Sequence, residues 1–295
     1  MQPADFLSAV FFYLKVGENL NQNWIVENLN NAFSTWNGKL GELWGLVTTG
    51  PQSFKGGAVW SVMQTLHNGM VGIGYALVVL FFAISLCKNT MNFHELKRPE
   101  AAIHYFLRFV AAKALVGYGM DIMLNVFSIC NGIVTDMADS MGGISEAMVS
   151  LPTEMQTAIE NVGFLASIPL WLVTILGSLF ITVLSFVMIL TVYGRFFRLY
   201  MYTALAPLPL AAFAGESTQS VGISFLKSYV GVCLEGAVIV LACVIYSAFV
   251  GTPTVTGGEA TTIVWSYLAE TVFNMLVLVG LIKGSDRIIH EMMGL

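Results

Sequence analysis

Three carboxylic acids lie within long apolar stretches of the sequence: Asp121, Glu235 and Glu270. A charged side chain at the centre of a lipid bilayer costs about 2.5–3.5 kcal/mol when it faces lipid, so acids in such stretches should face protein or water. Two kinds of chemistry suit them. One is an interhelical hydrogen bond or ion pair that locks helix packing, and the other is a water-lined path or an ion-coupling site. We expect Asp121 and Glu235 to be buried at helix contacts.

Two arginines, Arg195 and Arg198, close a long charge-free stretch and lie three residues apart, which puts them on one face of a helix. Tyr200 and Tyr202 follow them, and Lys227 precedes the next apolar stretch. Basic and aromatic side chains concentrate where a membrane meets water. Two interpretations stay open: cytoplasmic anchoring of the helix ends, or a cytoplasmic rim that admits a polyanion and stacks its bases.

Catalytic and metal-binding patterns are incomplete throughout the sequence. It contains no P-loop for ATP, and the zincin-like pair His290-Glu291 lacks a second histidine. Residues 117–121 resemble an intramembrane aspartyl-protease motif with one residue too many, and no second catalytic aspartate lies in a comparable stretch. We therefore predict no enzyme activity, no cofactor and no metal site. The cysteines are interpreted as small hydrophobic residues of the core: Cys87, Cys130, Cys233 and Cys243.

The composition identifies the class of protein that must position these residues. Of the 295 residues, 56% are hydrophobic and 11% are charged, and the mean hydropathy is +0.75. Soluble proteins average about 25% charged residues. The composition therefore predicts an all-α integral membrane protein and excludes an ordinary soluble enzyme. A net charge of −5 provides no global basic field for nucleic acid.

The apolar stretches predict about five transmembrane helices, since one span needs about 20 apolar residues. The predicted spans cover about 59–86, 114–135, 163–193, 228–250 and 262–283. A further apolar stretch, 199–215, contains Pro207 and Pro209, each of which removes a backbone donor. We predict that this stretch is broken and forms a re-entrant or interfacial segment beside the cytosol.

The first 55 residues are predicted to be an extracytoplasmic region, followed by a polytopic membrane domain over residues 56–295. Apolar residues recur there at spacings of three and four, which predicts an amphipathic helix that lies on the outer leaflet or packs on a partner. The members of this apolar stripe are Ile25, Leu29, Ala32, Phe33, Trp36, Leu40, Leu43, Trp44 and Val47.

The distribution of Lys and Arg predicts the orientation in the membrane, because cytoplasmic loops hold most of them. An outside N-terminus and a cytoplasmic C-terminus place ten of the 13 basic residues inside. These ten are Lys88, Lys97, Arg98, Arg108, Lys113, Arg195, Arg198, Lys227, Lys283 and Arg287. The predicted outer loops, 136–160 and 251–262, then contain no Lys or Arg.

These features resemble the TrbL-like conjugal-transfer family, the polytopic inner-membrane component of type IV secretion systems. The resemblance covers about residues 160–250. It rests on the arginine-closed apolar span, the proline turn, a small polar run and the basic opening of the next span: Arg195, Arg198, 206–209, 215–218 and Lys227.

The resemblance implies a channel or scaffold subunit in the bacterial inner membrane. Its implied partners are further copies of itself in a ring, other secretion subunits, separate ATPases, membrane lipid, and a relaxase-linked single-stranded DNA or protein substrate. Two alternatives remain open from the residues alone. The chain is an ion-coupled secondary transporter that uses the intramembrane acids, or it is an assembly factor without a lumen.

Overall fold

The computed structural model describes residues 3–90, 99–140, 148–162, 164–250 and 260–295. Helices occupy nearly all of these residues, and no strand occurs among them. The helices are α1 (Pro3–Thr48), α2 (Ala58–Thr90), α3 (Pro99–Gly117), α4 (Gly119–Ser140), α5 (Thr153–Glu160), α6 (Phe164–Leu205), α7 (Pro207–Ala211), α8 (Gln219–Phe249) and α9 (Ala260–Met293). Short 3₁₀ helices cover Phe54–Gly57 and Ala212–Ala214. The predicted all-α fold is confirmed.

Four stretches of the described helices are long and apolar enough to cross a membrane: Phe54–Lys88, Ser167–Leu205, Gln219–Phe249 and Thr262–Met293. They overlap with four of the five predicted spans. The fifth, predicted over 114–135, lies across a bend of 73° between α3 and α4, and these two helices together are long and apolar enough for a broken span or a re-entrant loop. Lys97, Arg98 and parts of both predicted outer loops lie outside the described residues.

The bend between α3 and α4 falls at the sequence Gly117-Tyr118-Gly119. A Cβ atom on Gly117 would lie 2.7 Å from the Tyr75 hydroxyl, and one on Gly119 would lie 3.1 Å from Leu210. A Cβ at either position would require the Tyr75 or Leu210 side chain to shift, so the two glycines allow close packing at the bend.

The described residues form two compact units, each assembled from three parts of the chain. Unit 1 lies within Met1–Trp44, Met141–Thr191 and Leu241–Lys283, and unit 2 within Gly45–Ser140, Val192–Val240 and Gly284–Leu295. Helices α1, α6, α8 and α9 contribute residues to both units. The sequence-based division at residue 55 concerns location across the membrane and stays a prediction.

In unit 1, helix α1 packs against the helices of its own chain. Its predicted apolar stripe is buried from Ile25 to Leu43. Asn28 Nδ2 donates a hydrogen bond to Ser178 Oγ at 3.1 Å, and Phe33 makes an edge contact with Tyr267 at 6.4 Å. The amphipathic helix is therefore confirmed, but its expected place on the leaflet or on a partner is corrected, since α6 and α9 supply the apolar surface that covers the stripe.

In unit 2, the proline-broken segment runs alongside α2. Helix α6 ends at Leu205, Pro207 starts the five-residue helix α7, and a 3₁₀ turn follows. The contacts with α2 and the residues just before it, in chain order, are Phe54 with Phe196, His67 with Thr203, Gly74 with Pro207 and Ser85 with Glu216. The break is confirmed. The segment does not lie on the surface beside one end of the span, because it follows α2 from its first residues to its last turn.

Close packing explains this placement of the broken segment. A Cβ atom on Gly74 would lie 3.0 Å from Pro207, so the glycine lets the two backbones approach. Ala206, Leu210 and Ala211 are buried in the hydrophobic core that α2, α3 and α8 share. Irregular backbone at membrane depth is tolerated where protein surrounds it, and this core provides that environment.

Candidate functional site

A cluster of charged side chains joins three helices within unit 2. Arg195 and Arg198 come from α6, Glu235 comes from α8, and Ser285 and Asp286 come from α9. We call these residues the arginine–carboxylate cluster. The spacing of three between the arginines places both on the α6 face that packs against α8.

Glu235 occupies the centre of the arginine–carboxylate cluster and has only 1% of its surface exposed. Both carboxylate oxygens accept hydrogen bonds from Arg198 Nη2 at 2.7 Å. Ser285 Oγ donates a further bond to Glu235 Oε1 at 3.2 Å. The buried charge is thus paired and hydrogen-bonded, as a carboxylate removed from water requires. The expectation that Glu235 is buried at a helix contact is correct.

Arg198 bonds two acids at once. Its Nη1 atom lies 2.7 Å from Asp286 Oδ1, while Nη2 bonds Glu235, so one guanidinium connects α6 to α8 and α9. The side chain is 28% exposed, and Asp286 is 41% exposed. His290 lies 3.5 Å from the same Asp286 oxygen. Arg198 therefore links the three helices through two salt bridges.

Arg195 is fully buried and bonds backbone carbonyls. Its Nε and Nη2 atoms donate to Val232 O and Cys233 O on α8 at 3.2 and 3.0 Å, and Nη1 donates to Val47 O at 3.3 Å. No salt bridge of Arg195 occurs among the described side chains. Gly236 makes the site possible, because a Cβ atom there would lie 2.8 Å from Arg195 Nη1.

The bond from Arg195 to Val47 caps the end of α1. The last four carbonyls of a helix lack partners within it, and a cation there also complements the helix dipole. Asn131 Nδ2 donates to the next carbonyl, Thr48 O, at 3.2 Å, and the Tyr200 hydroxyl donates to Pro51 O at 2.8 Å. Unit 2 therefore fixes the connection between α1 and α2 by three side chains.

The cytoplasmic rim expected from the sequence does not include Arg195, which is fully buried, whereas the rim position of Arg198 stays a prediction. Arg195 lies beside the end of α1 and the residues before α2, where it bonds Val47 O and where Phe54 stacks on Phe196 at 4.1 Å. Lys88, predicted on the same side of the membrane, lies at the other end of α2. The two ends differ because the segment from Phe196 onward runs parallel to α2, so that Phe196 lies beside Phe54 and Glu216 lies beside Ser85. Lys227 is exposed on α8 and does not join the arginine–carboxylate cluster.

The two other predicted acids are exposed, and neither is a member of the arginine–carboxylate cluster. Asp121 lies in the first turn of α4, directly after the bend, where a negative charge complements the helix N-terminus. The expectation of a buried Asp121 is therefore wrong. Glu270 is exposed on α9 within unit 1. Pro207 is buried in the hydrophobic core of unit 2, and Pro209 is half-buried in α7.

Sequence reasoning missed Ser285, Asp286 and Gly236 as parts of the arginine–carboxylate cluster. The available signal was the glycine directly after Glu235, because a residue without a Cβ leaves space for a large side chain from a neighbouring helix. Among the described residues, no group of three or more His, Cys, Asp or Glu side chains could hold a metal ion. The arrangement is suited to holding helices together rather than to acid–base chemistry.

The fold defines the chain as a polytopic, all-α membrane protein. The sequence model of the TrbL/VirB6 plasmid conjugal transfer like proteins matches residues 36–207, more than half of the chain. The chain therefore belongs to this family and is a component of a conjugal-transfer, type IV secretion apparatus. The family is a structural component of conjugation rather than a known enzyme family.

The family match and the expected resemblance overlap in part. The match includes Arg195, Arg198 and Pro207, and it ends before Pro209 and Lys227. It also extends toward the N-terminus through α2, α3 and α4, beyond the predicted region of about 160–250. No curated protein and no solved structure matches the chain.

Proposed function

We propose that the chain is a channel or scaffold subunit of the conjugation apparatus in the bacterial inner membrane, and that it assembles with copies of itself as a ring. The ring helps relaxase-linked single-stranded DNA or protein to cross the membrane. Separate ATPase subunits supply the energy, in keeping with the missing P-loop. The N-terminal region lies outside, and the Lys88 end of α2 lies at the cytoplasm.

The exposed face of α6 carries this proposal. Large apolar side chains are exposed along the helix from Ile168 to Leu205, which is about 56 Å of helix at about 1.5 Å per residue. The hydrocarbon core of a bilayer is about 30 Å thick, and a tilt of about 40° accommodates only about 40 Å of helix. Part of the apolar face therefore lies outside the lipid and needs a protein surface to cover it. Copies of the same chain supply that surface.

The arginine–carboxylate cluster supports a scaffold role in this proposal. It joins α6, α8, α9 and the end of α1 by bonds that leave Glu235 little freedom. A subunit whose helices are fixed in this way presents a constant surface to its neighbours. Lys227 remains a candidate contact for the substrate, because its side chain is exposed.

The alternative of an ion-coupled transporter has less support. Coupling carboxylates share a site with the transported ion. Glu235 is engaged by Arg198 and Ser285, whereas Asp121 and Glu270 are exposed and belong to different units.

The proposal is tested by measuring the frequency of plasmid transfer from a donor strain in which the gene for this protein has been deleted. Complementation with the wild type should restore transfer, and the double variant Phe180→Ala/Leu190→Ala on the exposed face of α6 should reduce transfer at least tenfold. The matched control is Val79→Ala/Leu80→Ala, which removes exposed apolar side chains from α2, whose exposed large apolar side chains run only from Val62 to Ile84, about 33 Å of helix. Equal transfer by both double variants at equal membrane abundance would contradict the proposed assembly face.

A further inference from the structure

We propose that unit 2 binds the headgroup of a phospholipid that carries both a phosphate and a primary ammonium group, as phosphatidylethanolamine does. The site is a groove of about 650 Å³ between α3 and the segment that joins α7 to α8. We call it the α3 groove. Its polar lining residues are His104, Tyr105, Arg108, Glu216 and Gln219, and we call the last three its polar end, because Arg108 contacts both Glu216 and Gln219. Lipid binding here is independent of the substrate that the apparatus passes.

The α3 groove lies at the level where α2 leaves the bilayer. The backbone N–H of Glu216 donates to Ser85 Oγ at 3.5 Å, and Ser85 lies three residues before Lys88 in the last turn of α2. The apolar run of α2 ends there. Phospholipid headgroups occupy this interface, so their polar groups and the polar end of the α3 groove share one depth.

The wall of the α3 groove continues the lipid-facing surface of α3. Leu107 lines the groove and is exposed, and Ala111 and Leu115 follow it along the helix at spacings of four. Ile103, Phe106 and Val110 expose further apolar surface on the same helix. An acyl chain lying on this surface therefore delivers its headgroup to the polar end of the groove.

The polar end holds one cation and one anion that are only loosely engaged with each other. Arg108 Nη1 lies 4.0 Å from Glu216 Oε2, and Arg108 Nη2 donates a long bond of 3.4 Å to Gln219 Oε1. The Arg108 side chain is 32% exposed and the Glu216 side chain is 65% exposed. Both groups can therefore accept a further partner from the membrane.

The two charges select the headgroup. A guanidinium presents a planar fork of donors that matches phosphate oxygens, and the Glu216 carboxylate accepts N–H bonds from an ammonium. Their charges sum to zero, which complements a zwitterion better than a purely anionic lipid. A choline headgroup has no N–H to donate, so it loses the bond to Glu216 while keeping the one to Arg108.

Native mass spectrometry of the protein from nanodiscs with equal parts of phosphatidylethanolamine, phosphatidylcholine and phosphatidylglycerol tests the assignment. We expect the ethanolamine lipid to be retained at least fivefold over each of the others. Glu216→Gln, at an exposed position, removes the negative charge that attracts the ammonium and should reduce retention of the ethanolamine lipid toward that of the choline lipid. Arg108→Gln should reduce retention of all three lipids.

Arg287→Gln serves as the control, because Arg287 is an exposed arginine on α9 outside the α3 groove. It should retain the wild-type preference. Equal retention of the three lipids by the wild type, a preference for phosphatidylglycerol, or an unchanged preference in Glu216→Gln would each overturn the proposal.

Discussion

Replacing Arg198 with methionine removes the cation that pairs with buried Glu235 while keeping a long apolar side chain. Glu235 then loses both hydrogen bonds from Arg198 and keeps the bond from Ser285 and the nearby charge of the buried Arg195. Glu235→Gln is the milder change, because Arg198 keeps its bond to Asp286 and its partial contact with water. We therefore expect the two single variants to differ, although they break the same pair.

The magnitude follows from burial. Breaking a buried ion pair by removing one partner costs about 3–5 kcal/mol, whereas an exposed pair is worth about 0.2–1 kcal/mol. Arg198 is 28% exposed and Glu235 is 1% exposed. We therefore expect the free energy of unfolding to fall by about 3 kcal/mol in Arg198→Met and by about 1–2 kcal/mol in Glu235→Gln. The double variant should cost less than the sum of the two by about 1–2 kcal/mol.

Thermal unfolding of the purified protein in nanodiscs measures these differences. At about 2–4 °C per kcal/mol, Arg198→Met should lower Tm by roughly 6–12 °C. The matched control is Arg287→Met, which breaks a salt bridge of similar length, 2.8 Å, between side chains that are 85% and 65% exposed. It should change Tm by less than about 2 °C. Additive single variants, or an Arg198→Met variant no less stable than the control, would refute the reasoning.

Gly236→Ala should destabilise the protein by about 1–3 kcal/mol in the same assay, because its Cβ meets the buried guanidinium of Arg195; Gly280→Ala, which has open space on α9, should be neutral or stabilising. Gly74→Ala should also lower Tm, since its Cβ meets the proline-broken segment; a Tm equal to that of Gly280→Ala would contradict this close approach. Ser220→Cys, made in a chain whose exposed native cysteine is replaced, should react with an impermeant thiol reagent only after cells are opened. Labelling from outside intact cells would reverse the proposed orientation.

Periodicity predicted the helices well because it depends only on local sequence. The apolar stripe of α1 was identified almost residue by residue, and only Trp44 of its nine members lies apart from the buried set, half-buried. The break before Pro207 was predicted because proline removes a donor at a fixed position. The burial of Glu235 followed from the cost of a charge in lipid.

The depth of each residue was harder to predict, because it depends on which helices pair. The count of basic residues predicted Arg195 and Lys88 on the same side of the membrane. In the structure, Phe196 stacks on Phe54, so Arg195 lies near the start of α2, whereas Lys88 lies in its last turn. The exposure of Asp121 depends on a bend that two glycines permit. Neither pairing nor bending leaves a periodic signal in the sequence.

The copy number of the wild-type protein in nanodiscs, determined by native mass spectrometry, tests the central proposal most directly. We expect several copies in a ring, because part of the exposed α6 face needs a protein surface to cover it, and Phe180→Ala/Leu190→Ala should convert the ring to smaller species. A strictly monomeric wild type, inserted and folded in the same nanodiscs, would contradict the account.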